Sequence, residues 1–346
     1  MSLTVRDRYE RPLRDLRVSV TDRCNFRCPY CMPAEKFGHD YVFMPKDQIL
    51  DFEEILRVLT LVVPLGVRKL RLTGGEPLLR HGLHELIRGA RQIPGIEDIA
   101  LTTNGTLLGR MAGQLRREGL SRLTVSLDSL DPEVFSIMNG GRLSLDHVLG
   151  GIAAAEEAGF TGIKINCVVQ KGVNDHAIVD LARHFQGSGH IVRFIEYMDV
   201  GTRNGWKLDE VLTAQEILDR IDQSMPLEPM DSNYVGEVAR RYRYRDGSGE
   251  IGVITSVSQP FCGDCSRARL TTDGRLVTCL FASRGTDLRT LLRDGTSDEV
   301  LSARIREIWQ GRDDRYSEER AGLAGEEADD DSPSSTRRVE MYEVGG

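Results

Sequence analysis

The sequence contains no apolar run able to cross a membrane. Its longest greasy stretch, residues 55–67, is interrupted by Arg57 and Pro64, whereas a span needs roughly 20 apolar residues. Residues 1–7 carry charges and lack the apolar core of a signal peptide, so the expected location is the cytoplasm, without a membrane partner. A basic excess is missing too: 45 Lys and Arg against 53 Asp and Glu leave a formal net charge of -8. A field of that sign does not gather nucleic acid or anionic lipid. No nucleic-acid partner is expected, and any anion site must be a local cluster of cations. There is no solenoid-type repeat. Large apolar residues nearly vanish between Ser317 and Ser335, where Glu, Asp, Gly and Ser dominate. Such a segment cannot offset its ordering entropy by burial, so residues 317–346 are expected to form an acidic flexible tail.

What is present first is a rhythm. A chain of 346 residues accommodates one large α/β barrel or two ordinary domains. From residue 16 to residue 196 short β-branched runs alternate with longer amphipathic stretches, the pattern of βα units around a parallel sheet. The expected strands are residues 16–20, 69–73, 99–102, 122–127, 162–169 and 191–197, each with a helix after it. Eight units close a full barrel. The expected fold is therefore an α/β, incomplete (β/α)6 TIM-type barrel. After Pro226 the texture changes to short strand-like runs at 234–244 and 251–257, followed by helices around Asp287 and Val300. This predicts a small C-terminal α+β domain closing the open side, with boundaries at 1–225, 226–316 and 317–346.

Seven cysteines, an odd number, fall mostly in short clusters, which favours metal over disulfides in a chain of this size without a secretion signal. Cys24, Cys28 and Cys31 follow the first expected strand directly as CxxxCxxC. Three thiolates leave one iron of a four-iron cube open to a non-protein ligand. Zinc is the alternative, although it usually takes a fourth Cys or His nearby, and the nearest histidine, His39, reads as an exposed loop residue. Cys262, Cys265 and Cys279 form CxxC with thirteen residues before the third cysteine, and none follows. A closed zinc ribbon lacks its fourth cysteine here, so a second 4Fe-4S cluster with one free iron is the reading. Arg267 and Arg269 share a face if their segment is extended, and paired guanidiniums suit phosphate oxygens. Cys167, in the fifth expected strand, reads as a buried small apolar residue.

The first triplet, with Tyr30 before its last cysteine and a strand ahead, resembles the signature of the radical S-adenosylmethionine superfamily. Thr73-Gly74-Gly75-Glu76-Pro77 is similar to that family's Gly-Gly-Glu-Pro loop, where glycine lets a ligand approach backbone. The resemblance implies that the open iron chelates the methionyl moiety and that an electron from the reduced cluster yields a 5′-deoxyadenosyl radical. It also implies that Tyr30, Gly75, Ser126 and Met198 contact S-adenosylmethionine, near the carboxyl ends of strands where such barrels place active sites.

Both triplets together, the Cys265-Ser266-Arg267-Ala268-Arg269 run, the Cys31-Met32-Pro33 ending and the terminal Gly345-Gly346 resemble the GTP 3',8-cyclase family of molybdenum cofactor biosynthesis, over nearly the whole chain. That resemblance implies a lyase that converts GTP to (8S)-3',8-cyclo-7,8-dihydroguanosine 5'-triphosphate, with two 4Fe-4S clusters and S-adenosylmethionine. Arg17, Arg71, Thr102, Lys164, Arg267, Ala268 and Arg269 would hold the nucleotide, with Arg193 a further candidate. Arg17, Arg267 and Arg269 would be the catalytic residues. The second open iron would bind guanine, and the Gly-Gly tail would enter the barrel. The implied partners are GTP, an electron donor and the next enzyme of the pathway, for a monomer or homodimer. Two other readings are a peptide-modifying radical S-adenosylmethionine enzyme with an auxiliary cluster, and a non-catalytic metal-binding redox or interaction module.

Overall fold

Six parallel strands pair in chain order, β1 (Asp15–Ser19), β2 (Lys69–Thr73), β3 (Asp98–Thr103), β4 (Arg122–Ser126), β5 (Lys164–Val169) and β6 (Ile191–Glu196), in the computed structural model, which describes residues 4–323 and 338–345. Alternation along each strand sorts the side chains. Leu16, Val18, Leu70, Leu72, Leu123, Val125, Ile165 and Cys167 are buried in the layer between sheet and helices, while the residues between them face the lumen. The covering helices are α1 (Phe52–Val62), α2 (Leu83–Gln92), α3 (Leu108–Arg117), α4 (Pro132–Asn139), α5 (Leu145–Glu157), α6 (Ile178–Phe185) and α7 (Ala214–Asp222). Capping chemistry fixes several starts. Asp51 and Glu54 form a reciprocal capping box on α1, Thr213 and Glu216 do the same on α7, and α4 opens with Asp131 as cap and Pro132 behind it.

The C-terminal part contributes β7 (Leu227–Met230), β8 (Arg240–Tyr244), β9 (Glu250–Ile254), β10 (Arg267–Leu270), β11 (Arg275–Val277) and β12 (Thr286–Asp287). Helices α8 (Arg289–Arg293), α9 (Asp298–Gln310), α10 (Tyr316–Leu323) and α11 (Met341–Val344) complete it. Its strands extend both edges of the same sheet, whose twelve strands run β12-β11-β10-β1-β2-β3-β4-β5-β6-β9-β8-β7. β9 lies parallel beside β6 and β10 parallel beside β1. The barrel stays incomplete, and the C-terminal part borders it on both sides.

Three local expectations differ from the structure. The run 234–244 is a strand only from Arg240; before it the chain turns at Gly236, whose φ is 86° and whose absent side chain would crowd the Asp264 carbonyl. The run 251–257 leaves the sheet after Ile254, because the Val257 and Ser258 N–H groups donate to the Glu196 carboxylate rather than to a neighbouring strand. The acidic tail expected from Ser317 starts instead as helix α10, anchored by Tyr316 donating to Asp199 and stacking on Phe281. Residues 324–337 and Gly346 lie outside the described residues.

The chain end returns to the barrel. Arg338 pairs with Asp199, and Glu340 accepts from the Thr202 N–H and hydroxyl. Tyr342 packs on Met32 and Phe37, and Val344 on Val277 and Val339. No helix among the described residues is long and apolar enough to cross a membrane.

Candidate active site

The first cysteine triplet sits in the loop that follows β1, and the loop owes its shape to buried polar contacts. Arg27 donates to the carbonyls of Cys24, Phe26 and Phe37 at 2.7–2.8 Å. The Gly-Gly-Glu segment docks on the same loop: Gly75 N donates to Thr21 O at 2.8 Å and Glu76 N to Arg23 O at 2.7 Å. A side chain on Gly75 would fall on the Arg23 carbonyl oxygen. The glycines were expected to make room for a ligand; that room is taken by loop backbone, although Gly75 still borders the cavity. Glu76 then ties β2 to β3, accepting from Thr103 Oγ1 and Asn104 N at 2.7 Å each.

The second triplet is shaped by a hairpin. Cys265 N donates to Cys262 O in a tight turn, and the chain then runs up β10 and back down antiparallel β11, with Arg269 opposite Val277. Cys279 thereby returns to the end from which Cys265 departed. The thirteen-residue spacing is the contour of that hairpin. Because β10 is parallel to β1, with Asp15 opposite Arg267, the first triplet follows the carboxyl end of one strand and Cys262 and Cys265 precede the amino end of its neighbour. The two triplets thus stand at opposite mouths of the lumen, roughly one five-residue strand or about 17 Å apart.

All six cysteines line one cavity of about 300 Å³, the size of a small-ligand site. Their chemistry suits iron-sulfur cubes. Cysteine thiolates are the usual ligands of such cubes, and three of them leave one iron open. Burial pushes the Cys24 thiol up to about 12, with Glu76 adding to it. Burial and then Asp128 hold Cys28 well above the usual thiol range, and burial and then Cys24 raise Cys31. A metal that takes their charge would favour the thiolate forms of these buried groups. At Cys265 burial also raises the thiol, but Arg267, Arg312 and Arg269 outweigh it and bring it down to about 5, a thiolate ready to ligate.

Between the mouths the lumen is cationic. Arg269, Arg17 and Arg71 stand side by side in register on β10, β1 and β2, and Arg122 continues the row beyond Ala100. Burial, then Arg269, Arg267 and Arg71, holds the Arg17 guanidinium well below its ordinary range. Burial followed by Arg267 lowers Arg269 to about 10, and burial followed by Arg71 lowers Arg193 to about 10. Lys164 is brought to about 7 by burial, then by Arg193, Arg122 and Arg71. Cations that mutually disfavour their charge form a site that a polyanion relieves. Arg71 is aimed by hydrogen bonds to Thr102 Oγ1 at 2.9 Å and Thr124 Oγ1 at 3.1 Å, and Arg269 Nε is buried without a partner.

The expected site residues converge with two exceptions. Arg17, Tyr30, Arg71, Gly75, Thr102, Ser126, Arg193, Met198, Arg267 and Arg269 all border the cavity. Ala268 does not: alternation along β10 turns it into the sheet-to-helix core, 1% exposed, so only its backbone remains available. Lys164 is outside the cavity wall itself but is coupled to three of its arginines. Tyr30 donates its hydroxyl to Asp128 Oδ2 at 2.8 Å, and burial raises Asp128 to about 7. Cys167 is a fully buried core residue and His39 is fully exposed.

Sequence reasoning missed Arg122, Thr124, Asp128 and the loop around Tyr234, whose ring carries the Lys69 ammonium 3.5 Å from its centre. Strand period two, counted back from Ser126, finds Thr124 and Arg122. No sequence signal announces Asp128 or the Tyr234 loop, which reach the cavity only through tertiary folding.

The Radical SAM superfamily model matches residues 18–185 and the Molybdenum Cofactor Synthesis C model residues 190–318. A protein of Xanthomonas campestris pv. campestris named GTP 3',8-cyclase is 53% identical over 343 residues, 99% of this chain and 97% of its own. One of the same name from Acidothermus cellulolyticus is 50% identical over 362 residues, covering all of both chains. In fold, the chain is similar to Streptococcus suis SuiB bound to S-adenosylmethionine, with a TM-score of 0.59, 15% identity and coverage of 90% of this chain and 68% of that one.

Proposed function

This chain belongs to the GTP 3',8-cyclase family of radical S-adenosylmethionine enzymes, and from that premise we propose that its cavity binds S-adenosylmethionine at the first triplet and GTP between the two triplets. The reading rests chiefly on one observation: both incomplete cysteine sets and the arginine row line a single cavity. Family members carry two 4Fe-4S clusters. Bound together, the clusters and S-adenosylmethionine supply the radical chemistry that joins ribose carbon 3′ to purine carbon 8.

The protein's part is placement. Cys24, Cys28 and Cys31 hold the first cluster, and Tyr30, Gly75, Ser126 and Met198 surround the cofactor. Cys262, Cys265 and Cys279 would hold the second cluster, which would supply an iron for the base to bind. Arg17, Arg71 and Arg193 receive the triphosphate, Lys164 adds its charge from beside them, and Arg267 and Arg269 bridge it to the second cluster. Thr102 and Thr124 fix Arg71. Such positioning supplies most of the catalysis when the hard chemistry belongs to the cofactor. Residues 1–225 serve the cofactor and residues 226–316 the second cluster. The reaction calls for an external one-electron donor and for a following pathway enzyme, and the cytoplasm is the proposed location, with the chain acting as monomer or homodimer.

The direct test is anaerobic incubation of reduced, reconstituted protein with GTP and S-adenosylmethionine. 5′-Deoxyadenosine together with a cyclised guanosine triphosphate is the expected outcome; 5′-deoxyadenosine without consumption of GTP would favour the peptide-modifying alternative.

A further inference from the structure

We propose that an ion network, buried Asp7, Arg11 and Arg312 together with half-buried Asp314 at the cavity edge, positions the second cysteine triplet, an inference that rests on Cys262, Cys265 and Cys279 being the ligands of the second cluster. The side chains of Asp7, Arg11 and Arg312 are 0–2% exposed. Asp7 Oδ2 sits between the two guanidiniums, 2.5 Å from Arg11 Nε and 3.2 Å from Arg312 Nη1, while Arg312 Nε lies 3.4 Å from Asp314 Oδ2. Asp7 Oδ1 accepts from the N–H groups of Tyr9 and Arg11. Trp309 pins the arrangement, donating Nε1 to the Arg11 carbonyl at 3.1 Å and stacking under Arg312 at 4.6 Å.

Burying this many charges is costly, and a buried ion network by itself is poor evidence of stabilisation. Its contacts show another purpose. Arg11 Nη1 donates to the Cys262 carbonyl at 2.9 Å, and Arg312 Nη1 to the Cys265 carbonyl at 2.7 Å. Asp314 Oδ2 accepts from Thr278 Oγ1 at 2.6 Å, one residue before Cys279, and the Asp314 carbonyl accepts from Arg11 Nη1. Every ligand of the triplet is therefore gripped at its own backbone or at its neighbour by one connected set of charges. That set is drawn from residues near 10 and near 313, which no local motif joins to the cysteines. Three thiolates leave one cube corner open, and holding their backbones fixes where that corner faces. Groups that orient metal ligands in this way act through them. Asp7, Arg11, Arg312 and Asp314 are positioning residues, and none of them replaces a ligand.

The test uses the full chain, anaerobically reconstituted with iron and sulfide. Its readouts are iron content and the electron paramagnetic resonance spectrum of the reduced protein, with and without GTP and with and without S-adenosylmethionine. Asp7→Asn is expected to drop iron from about eight toward about four per chain, the content of one cube, and to abolish the spectral change caused by GTP while keeping the one caused by S-adenosylmethionine. Thr278→Val, a near-isosteric change, is expected to keep the iron but weaken the GTP response. A folded Asp7→Asn protein with about eight irons and the unaltered GTP response overturns the proposal. Should Asp7→Asn fail to fold, Thr278→Val and Arg312→Lys decide: an unaltered GTP response in both overturns it, and a selective loss upholds it. A protein with Cys262, Cys265 and Cys279 all changed to Ala separates the underlying reading. About eight irons there would remove the second cluster itself, whereas about four leaves the positioning question to the other variants.

Discussion

Replacing Lys164 by methionine should change the proton balance of GTP binding. Lys164 opens β5 in register with Thr124 and Ile191, and burial together with Arg193, Arg122 and Arg71 brings its ammonium down to about 7. A triphosphate in the lumen offsets those neighbours and returns the group toward its ordinary value of about 10.4. At pH 8 the free protein then holds Lys164 about 90% neutral while the complex holds it charged, so binding takes up roughly 0.9 proton. The sign follows: the bound value lies above the free one, so affinity is full below pH 7 and declines as pH rises toward the bound value. Between pH 7 and 8.5 the decline is on the order of tenfold, about 1.4 kcal/mol. Calorimetric titration with GTP in two buffers of different ionisation enthalpy reads the uptake directly. Lys164→Met should lose the uptake and the added pH slope, and the nucleotide's own titration, common to both proteins, cancels. Equal proton uptake and equal slopes in the two proteins would refute a role for Lys164 at the triphosphate.

Three further outcomes are expected. Gly75→Ala should cost about 2–4 kcal/mol, an overpacking penalty plus strain on two hydrogen bonds; thermal melting should report it, together with a fall of 5′-deoxyadenosine formation by at least about tenfold. Arg267→Ala combined with Arg269→Ala should weaken GTP binding by about 100-fold or more, as befits two buried charge-assisted contacts, and leave reductive cleavage of S-adenosylmethionine largely intact. At Gly345 the backbone is left-handed, with φ 65°, and any side chain would strike Thr73; Gly345→Val should therefore expel the chain end, seen as faster protease cleavage near Arg338 with the core fragment unchanged.

The sheet was legible because its signal is local. Strands such as residues 69–73 alternate charge and aliphatic side chains with period two, and each is long enough to carry both the core and the lumen face. The first cysteine triplet was legible for the same reason, since three cysteines between Cys24 and Cys31 leave a local mark, and Cys262 and Cys265 leave one as CxxC. What stayed hidden depended on distant pairing. That β9 and β10 join opposite edges of the sheet follows from which strands they meet, not from their own composition. Gly75 was read correctly as a position needing glycine, yet the crowding atom is the Arg23 carbonyl rather than a ligand, a difference that only the folded loop reveals. The orientation of the Ala268 side chain was not legible in a motif read as a string: between two lumen-facing arginines the middle side chain must face the core. The acidic stretch began as a helix because Tyr316 found Asp199 and Phe281, partners supplied by elements more than thirty residues away.

On the proposed reading, the parallel pairing of β10 with β1 is what lets two clusters serve one reaction. Had the hairpin joined β1 through an antiparallel strand, Cys265 would precede a strand starting beside the first triplet, and both metal centres would crowd a single mouth. Parallel pairing instead puts the cofactor end at the carboxyl termini of the strands and the second triplet at their amino termini. Midway along the span between them, about 17 Å, the row Arg269, Arg17 and Arg71 crosses the lumen from strand to strand. On the proposed reading a nucleotide is gripped where it crosses that row, its base toward the second triplet and its ribose toward the first. The same geometry explains the density of arginine inside an acidic protein. A polyanion must be drawn into a buried lumen, and the cations that draw it are crowded enough that each lowers the charge preference of the next until the ligand arrives.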